Sequence, residues 1–263
     1  MNTGARIIIV LPAYNAAKTL EKTYADIPKD NIEKIILVDD VSQDQTVEVA
    51  RAIGLEVVIH IQNRGYGGNQ KTCYIEALKE NADVVVMLHP DHQYDSKLVP
   101  ELVRPILAGE ADMVMGSRIL NGRALEGGMP FWKYVANRIL TTMENIVYRT
   151  KLTDCHSGFR AYSRKLLTTV PFLLNSDDFV FDSQMIAQAV YLGFKIGEIP
   201  VQARYFPEAS SVNFRVSAVY GLKTLGVMLR FFLQRLGLMH SRFFDRRLAD
   251  VVSKYHQGNI FHQ

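Results

Sequence analysis

Asp91 closes a short apolar run and stands among His89, His92 and Gln93, so hard-ligand chemistry is available at that point of the chain. A carboxylate there suits a divalent cation such as Mg²⁺ or Mn²⁺, or the surroundings of a substrate phosphate. Asp39 and Asp40 follow another apolar run, and the glycine-rich stretch Asn63-Arg64-Gly65-Tyr66-Gly67-Gly68-Asn69 follows a third. Acidic side chains so placed could hold a ribose and a base edge by hydrogen bonds, while glycines permit close backbone approach. Arg118, Arg160 and Arg204 offer forked donors that match phosphate oxygens. This inventory describes a site for a nucleoside diphosphate. The first strand-to-helix turn lacks G-x-G-x-x-G, and no G-x-x-x-x-G-K-[ST] run is present, which argues against a dinucleotide oxidoreductase and an ATPase.

These residues need elements that converge. Residues 7–11, 32–38, 56–61, 84–88 and 113–115 are short runs rich in β-branched and apolar side chains, and they predict strands. Between them helices are expected over 17–27, 70–79 and 97–107, with another running on to Ala52 behind the capping side chains of residues 42–46. Such alternation predicts a mainly parallel, doubly wound sheet with the polar clusters at the carboxyl ends of its strands. Pro90 cannot donate to a ladder, so the fourth strand ends near His89. Further along, a helix is expected over 131–149, a polar loop over 153–160 leading into a short strand, and a helix over 181–192 stopped by Gly193. A last strand, 195–203, contains Pro200, which favours a sheet edge.

The 263 residues suit one large domain, or one domain with a tail, and 48% apolar content supports a full core. A net charge of +3 gives no ground for nucleic-acid binding. Two cysteines, Cys73 and Cys155, make no disulfide framework and fit a reducing compartment. No uninterrupted apolar run reaches the roughly 18–20 residues of a spanning helix. The expected location is cytoplasmic, at most on a membrane surface. Residues 217–239 are apolar but interrupted by Lys223, Arg230 and Arg235, with Arg242, Arg246 and Arg247 beyond. They read as a basic amphipathic tail that could lie in an anionic membrane interface.

Several stretches together resemble family 2 glycosyltransferases: Leu11-Pro12-Ala13-Tyr14-Asn15, Val38-Asp39-Asp40 through Thr46, Asn63-x-Gly65-x-Gly67, Asp91-His92-Gln93, Gly116-Ser117-Arg118, and Asp154 through Arg160. Their order is most similar to that of dolichol- or polyprenyl-phosphate sugar synthases. The resemblance implies an α/β GT-A fold, a Rossmann-like, mainly parallel sheet flanked by helices, over residues 1–211, with the helical tail as 212–263. It further implies a nucleotide-sugar donor bound by Pro12, Tyr14, Asn15, Asp39, Asp40, Asn63, Gly67 and Gln93, with Lys71 approaching ribose or phosphates. Asp91 carries the Mg²⁺ or Mn²⁺, supported by Gln93 and with His89 as a possible ligand, and Arg118 contacts the donor phosphate. Arg160, Arg204, Ser210 and Ser211 fall where acceptor or diphosphate is gathered.

One departure stands out: the family's usual Asp-x-Asp reads His89-Pro90-Asp91 here, which removes a negative charge from the metal site. A lipid-phosphate acceptor is already an anion and needs no strong base, whereas a hydroxyl acceptor needs one, with Asp182, Asp154 or His156 as candidates. The expected activity is inverting transfer of a sugar from a UDP- or GDP-sugar to a polyprenyl phosphate at the membrane face. Transfer to a saccharide hydroxyl, or nucleotide-sugar binding without turnover, remain the alternatives, and the sequence leaves a homo-oligomer open.

Overall fold

The computed structural model describes residues 4–120, 122, 124–205 and 214–260. Seven strands form one sheet: β1 (Ile7–Ala13), β2 (Ile32–Asp39), β3 (Glu56–Ile59), β4 (Val84–Met87), β5 (Met113–Ser117), β6 (Arg160–Ser163) and β7 (Ile196–Pro200). Their order is β3-β2-β1-β4-β6-β5-β7. Pairs β1–β2, β1–β4, β2–β3 and β5–β7 are parallel, and β6 runs antiparallel to both its neighbours. Every residue of β1 and β4 is buried, as strands covered on both faces must be, which explains why they read as continuous apolar runs. Pro200 lies in β7 at the sheet edge, where its missing N–H costs no ladder bond.

Nine helices flank the sheet among the described residues: α1 (Leu20–Ala25), α2 (Thr46–Ala52), α3 (Gly65–Lys79), α4 (Val99–Leu107), α5 (Phe131–Tyr148), α6 (Arg164–Thr169), α7 (Phe181–Leu192), α8 (Phe214–Arg235) and α9 (Arg246–Ile260). One buried cluster joins α1, α2 and α4 to the sheet (Leu20, Ala50, Leu102 on Ile9, Leu37, Val86). The other joins α3, α5, α7 and α8 to its opposite face (Tyr74, Tyr148, Met185, Phe231 on Val10, Met87). Gly193 ends α7 in the left-handed conformation, φ 86°, as its position foretold.

Two elements differ from their sequence expectation in ways that bear on function. Helix α3 begins at Gly65, so the glycine-rich stretch is its first turn and not a loop before it. Asp40 explains this: its carboxylate accepts hydrogen bonds from the backbone N–H groups of Arg64 (2.7 Å) and Gly65 (2.9 Å), satisfying donors a helix start would leave orphaned. Helix α8 also corrects the expectation of no membrane-length apolar segment. Residues 215–235 are long and apolar enough to cross a bilayer, with a mean hydropathy of 1.4, and Lys223 and Arg230 merely interrupt the run. One face of α8 is buried on the domain through Thr224, Val227, Met228 and Phe231. Val219, Leu222, Leu229, Phe232 and Leu236 face outward.

Candidate active site

A crevice of about 640 Å³ opens across the carboxyl ends of β1, β2 and β4. Pro12, Tyr14, Asn15, Asp40, Asn63, His89, Asp91, Gln93, Arg118 and Asp182 all line it, so the structure brings ten of the anticipated residues to one place. It also extends between α5 and α8, where Trp132, Lys133, Ala136, Leu140, Ser217 and Tyr220 form its far wall.

The near end is built on Asp40 and its neighbours. Besides capping α3, Asp40 accepts from His60 Nδ1 at 2.7 Å, and Asn63 Nδ2 donates to its backbone carbonyl. Asp40 is therefore spent on organising the loop. Asp39 is different: Oδ2 accepts from the Ser42 N–H at 3.0 Å, while buried Oδ1 has no hydrogen-bond partner. A buried acceptor of this kind is costly unless something supplies a donor. Tyr14, half exposed, forms the rim, and Asn15 Oδ1 accepts from the Gln43 N–H at 2.7 Å.

At the centre, Asp91 is almost fully buried and its Oδ1 accepts from the Gln93 N–H at 3.0 Å. His89 stacks on Tyr66, centroids 5.4 Å apart, and its Nε2 lies 3.2 Å from the Tyr66 hydroxyl. That hydroxyl donates to Asp182 Oδ2 at 2.7 Å, so His89 Nε2–H is the donor in the first contact. The tautomer is thereby set: any metal contact by His89 goes through Nδ1. Burial lowers the imidazole pKa, keeping it neutral at pH 7. Asp182 also accepts from Gln70 Nε2 at 3.2 Å, so both of its oxygens are engaged.

Four anticipated contacts are corrected. Arg160 does not reach the crevice: it is fully buried, donates to the carbonyls of Ser157, Cys155 and Asp182, and lies 3.5 Å from the Asp182 carboxylate. Lys71 is a buried strut outside the crevice lining, whose ammonium binds Asp177 Oδ1 at 2.6 Å and the Asn175 carbonyl, pinning the 175–178 loop to α3. Gly67 serves packing, since a Cβ there would sit 2.3 Å from the Ser176 carbonyl oxygen. Arg204 is exposed outside the crevice lining, with a guanidinium nitrogen 2.8 Å from His92 Nε2. Ser210 and Ser211 lie outside the described residues.

Asp154 accepts two side-chain bonds from Arg118, Nε to Oδ2 (2.7 Å) and NH2 to Oδ1 (2.9 Å), besides bonds from the Arg118 backbone N–H and from Asn137 Nδ2. Burial alone would raise the Asp154 carboxyl, but Arg118 and Asn137 hold it well below the usual carboxylate range. The guanidinium is thus fixed and still lines the crevice. Lys133, which the sequence reading missed, lines the same region, and partial burial together with repulsion from Arg118 lowers its ammonium pKa. Two cations converging on one cleft mark a place for an anion. Tyr66, Trp132 and Tyr220 were missed as well. The only local signal was Tyr66 within the glycine run.

Behind this wall, Glu144 is fully buried, and burial pushes its carboxyl up to about 8. His156 lies 3.4 Å away and burial lowers it to about 4, so at neutral pH the contact joins two neutral groups and is not an ion pair. The raised carboxyl fixes a sign. Below the unfolded value near 4.5 Glu144 is protonated in both states, and the stability this protects is lost as pH rises from there through about 8. Wild-type protein is expected to melt at lower temperature at pH 9 than at pH 6, and Glu144→Gln to reduce that difference by several degrees. Thermal melts of both proteins across this range check it; an equal pH dependence in the two would dismiss the buried neutral acid.

The family model described as glycosyl transferase family 2 matches residues 8–170, which contain most of this crevice. The chain belongs to glycosyltransferase family 2. It is a nucleotide-sugar-dependent glycosyltransferase, with the GT-A arrangement of a mostly parallel seven-stranded sheet between helices. An uncharacterized protein of Methanocaldococcus jannaschii is 32% identical over 83% of this chain and 89% of its own length. A UDP-N-acetylglucosamine–dolichyl-phosphate N-acetylglucosaminyltransferase of Methanococcus voltae is 27% identical over 76% and 86% respectively. Among solved structures, glucosyl-3-phosphoglycerate synthase from Mycobacterium tuberculosis, in complex with Mn²⁺, UDP and glucosyl-3-phosphoglycerate, shares the fold at a TM-score of 0.64 and 21% identity, covering 90% of this chain and 82% of its own.

Proposed function

We propose that this glycosyltransferase moves a sugar, with inversion, from a UDP- or GDP-sugar to a polyprenyl or dolichyl phosphate at the cytoplasmic face of a membrane. The observation that carries the reading is the far wall of the crevice, where Arg118 and Lys133 stand beside apolar Trp132, Ala136 and Leu140. Cations beside an apolar channel match a lipid phosphate better than a sugar hydroxyl. The channel runs between α5 and α8, whose outer faces expose Phe131, Val135, Ile139, Met143 and Ile146, and Val219, Leu222, Leu229 and Phe232. Apolar surface of that extent, with arginines and lysines along it, suits a peripheral seat on an anionic bilayer. The dolichyl-phosphate substrate named for the Methanococcus voltae relative supports the same acceptor.

In this reading Pro12, Tyr14 and Asn15 of the crevice wall receive the nucleoside, Asp39 Oδ1, unpartnered although not itself on that wall, offers it an acceptor, and Gln93 and Asn63 flank the diphosphate. Among the described residues no group of three or more His, Cys, Asp or Glu side chains could hold a metal by itself. The residues nevertheless fit Mg²⁺ or Mn²⁺, which characteristically take one or two carboxylates plus substrate phosphates. Asp91 would hold the ion, with Gln93 and His89 Nδ1 beside it, and the structural relative bound to Mn²⁺ and UDP supports this. The metal would neutralise the charge that develops on the leaving diphosphate. The acceptor phosphate oxygen attacks the anomeric carbon as the bond to the donor diphosphate breaks, so no proton need be removed. Arg118 and Lys133 position the acceptor and screen its repulsion from the donor. The engagement of both Asp182 oxygens weighs against a hydroxyl acceptor activated by that residue.

Incubating the protein with labelled UDP- and GDP-sugars, a short polyprenyl phosphate, and Mg²⁺, Mn²⁺ or EDTA tests the reading. A lipid-linked sugar formed only with metal is expected. Transfer to a saccharide or other hydroxyl acceptor, with none to the lipid, would replace it.

A further inference from the structure

Helix α8 lies beyond residues 1–211, to which the sequence assigns the catalytic fold, yet its Ser217 and Tyr220 line the crevice. The Tyr220 hydroxyl lies 2.8 Å from His156 Nδ1 and 2.9 Å from Ser183 Oγ, and its ring meets the imidazole edge-on. Ser183 Oγ is also 3.1 Å from Thr224 Oγ1, one turn further along α8. Across the ring, His156 Nε2 faces Glu144 of α5 at 3.4 Å, so two helices grip one imidazole. His156 lies two residues from Asp154, the anchor of Arg118, and its own N–H donates to Asp154 Oδ1 at 3.1 Å. On the same face of α8, Lys223 pairs with Asp178. The next residue, Phe179, packs its ring at a tilt against Tyr66, centroids 4.7 Å apart, and Tyr66 carries both His89 and Asp182. One helical face therefore touches both loops that bound the reaction centre.

We propose that α8 is a working wall of the active site and that Tyr220 is a positioning residue for sugar transfer, fixing His156 and through it the Asp154–Arg118 arm, while Lys223 steadies the loop behind Tyr66 and His89. The inference rests on the glycosyltransferase activity but not on the choice of acceptor. The two contacts differ in weight. Tyr220 works in a buried polar cluster, where a lost hydroxyl strands its partners. Lys223–Asp178 is half exposed and screened, so it contributes the smaller share.

The test uses the full chain with Tyr220→Phe, which keeps the ring and removes the hydroxyl, and with Lys223→Ala. Tyr220→Phe is expected to bind UDP or GDP within about twofold of wild type while kcat falls about 10- to 100-fold. Binding to vesicles of anionic lipid should be unchanged, because the hydroxyl points inward. Hydrogen exchange should quicken in residues 153–160 and stay unaltered in β1 and β4. Lys223→Ala should lower kcat about two- to fivefold, and Lys223→Asp combined with Asp178→Lys should restore most of it. Wild-type kcat and unchanged exchange in Tyr220→Phe would overturn the proposal. So would loss of vesicle binding as the only defect, which would make α8 an anchor alone. Should Tyr220→Phe not fold, Ser183→Ala loosens the same hydroxyl from α7 and is read identically. If the wild-type protein transfers to a hydroxyl and not to a lipid phosphate, the acceptor reading fails while this comparison stands.

Discussion

Asp91→Asn is expected to abolish sugar transfer, with a fall of at least about 10³-fold, and to remove the metal dependence of nucleotide binding. The reason is chemical. An amide oxygen carries no full charge, so the cation that offsets the leaving diphosphate is lost from the only acidic residue of the His89-Pro90-Asp91 segment. Lewis-acid stabilisation of developing charge contributes several kcal/mol to such transfers, and each 1.4 kcal/mol is a factor of about ten in rate. Transfer assays, with UDP or GDP titrated in Mn²⁺ and in EDTA, separate this from a structural defect. A mutant that still folds and turns over at near the wild-type rate would remove Asp91 from the metal site. His89→Ala should be milder, about 10-fold, because Asp182 still orients Tyr66.

Asp154→Leu is expected to be the most destabilising single change at the site. Asp154 is fully buried and joined to the Arg118 side chain by two bonds, and removing one partner of a buried pair leaves the other charge uncompensated. That typically costs about 3–5 kcal/mol, or a melting temperature lower by roughly 10 °C in a chain of this size. The double variant Arg118→Met with Asp154→Leu should recover most of the stability and none of the activity, since the cation facing the crevice is gone. Equal melting temperatures for wild type and Asp154→Leu would show the pair to be energetically idle. Because the Asp154 carboxyl is held low, its contribution is present above the unfolded value near 3.8 and is lost as pH falls towards its folded value. Below about pH 4 the stability of wild type should therefore fall more steeply than that of the double variant, which has no Asp154 to protonate; parallel acid-unfolding curves for the two proteins would remove Asp154 from this linkage.

The strands, their largely parallel sheet and the carboxyl-end position of Asp39, Asp40 and Asp91 were legible in the chain, because fully buried strands are written as unbroken apolar runs and Pro90 stops one of them. The stop of α7 at Gly193 and the edge position of β7 were legible for equally local reasons. The division of labour among polar residues was not. Arg160 reads as a phosphate ligand until its partner Asp182, 22 residues on, is seen to neutralise it in the core. Lys71 likewise reads as a ribose contact until the carbonyl of Asn175, 104 residues away, is found to hold its ammonium. Gly67 reads as a phosphate cradle until the Ser176 carbonyl occupies the space of a Cβ. The antiparallel direction of β6, the convergence of Lys133 on Arg118 and the insertion of Tyr220 from the tail were also decided by tertiary structure alone. The physical reason is common to all of them: a side chain's chemistry is fixed by which group neutralises or desolvates it, and in a wound sheet that group comes from a distant part of the chain.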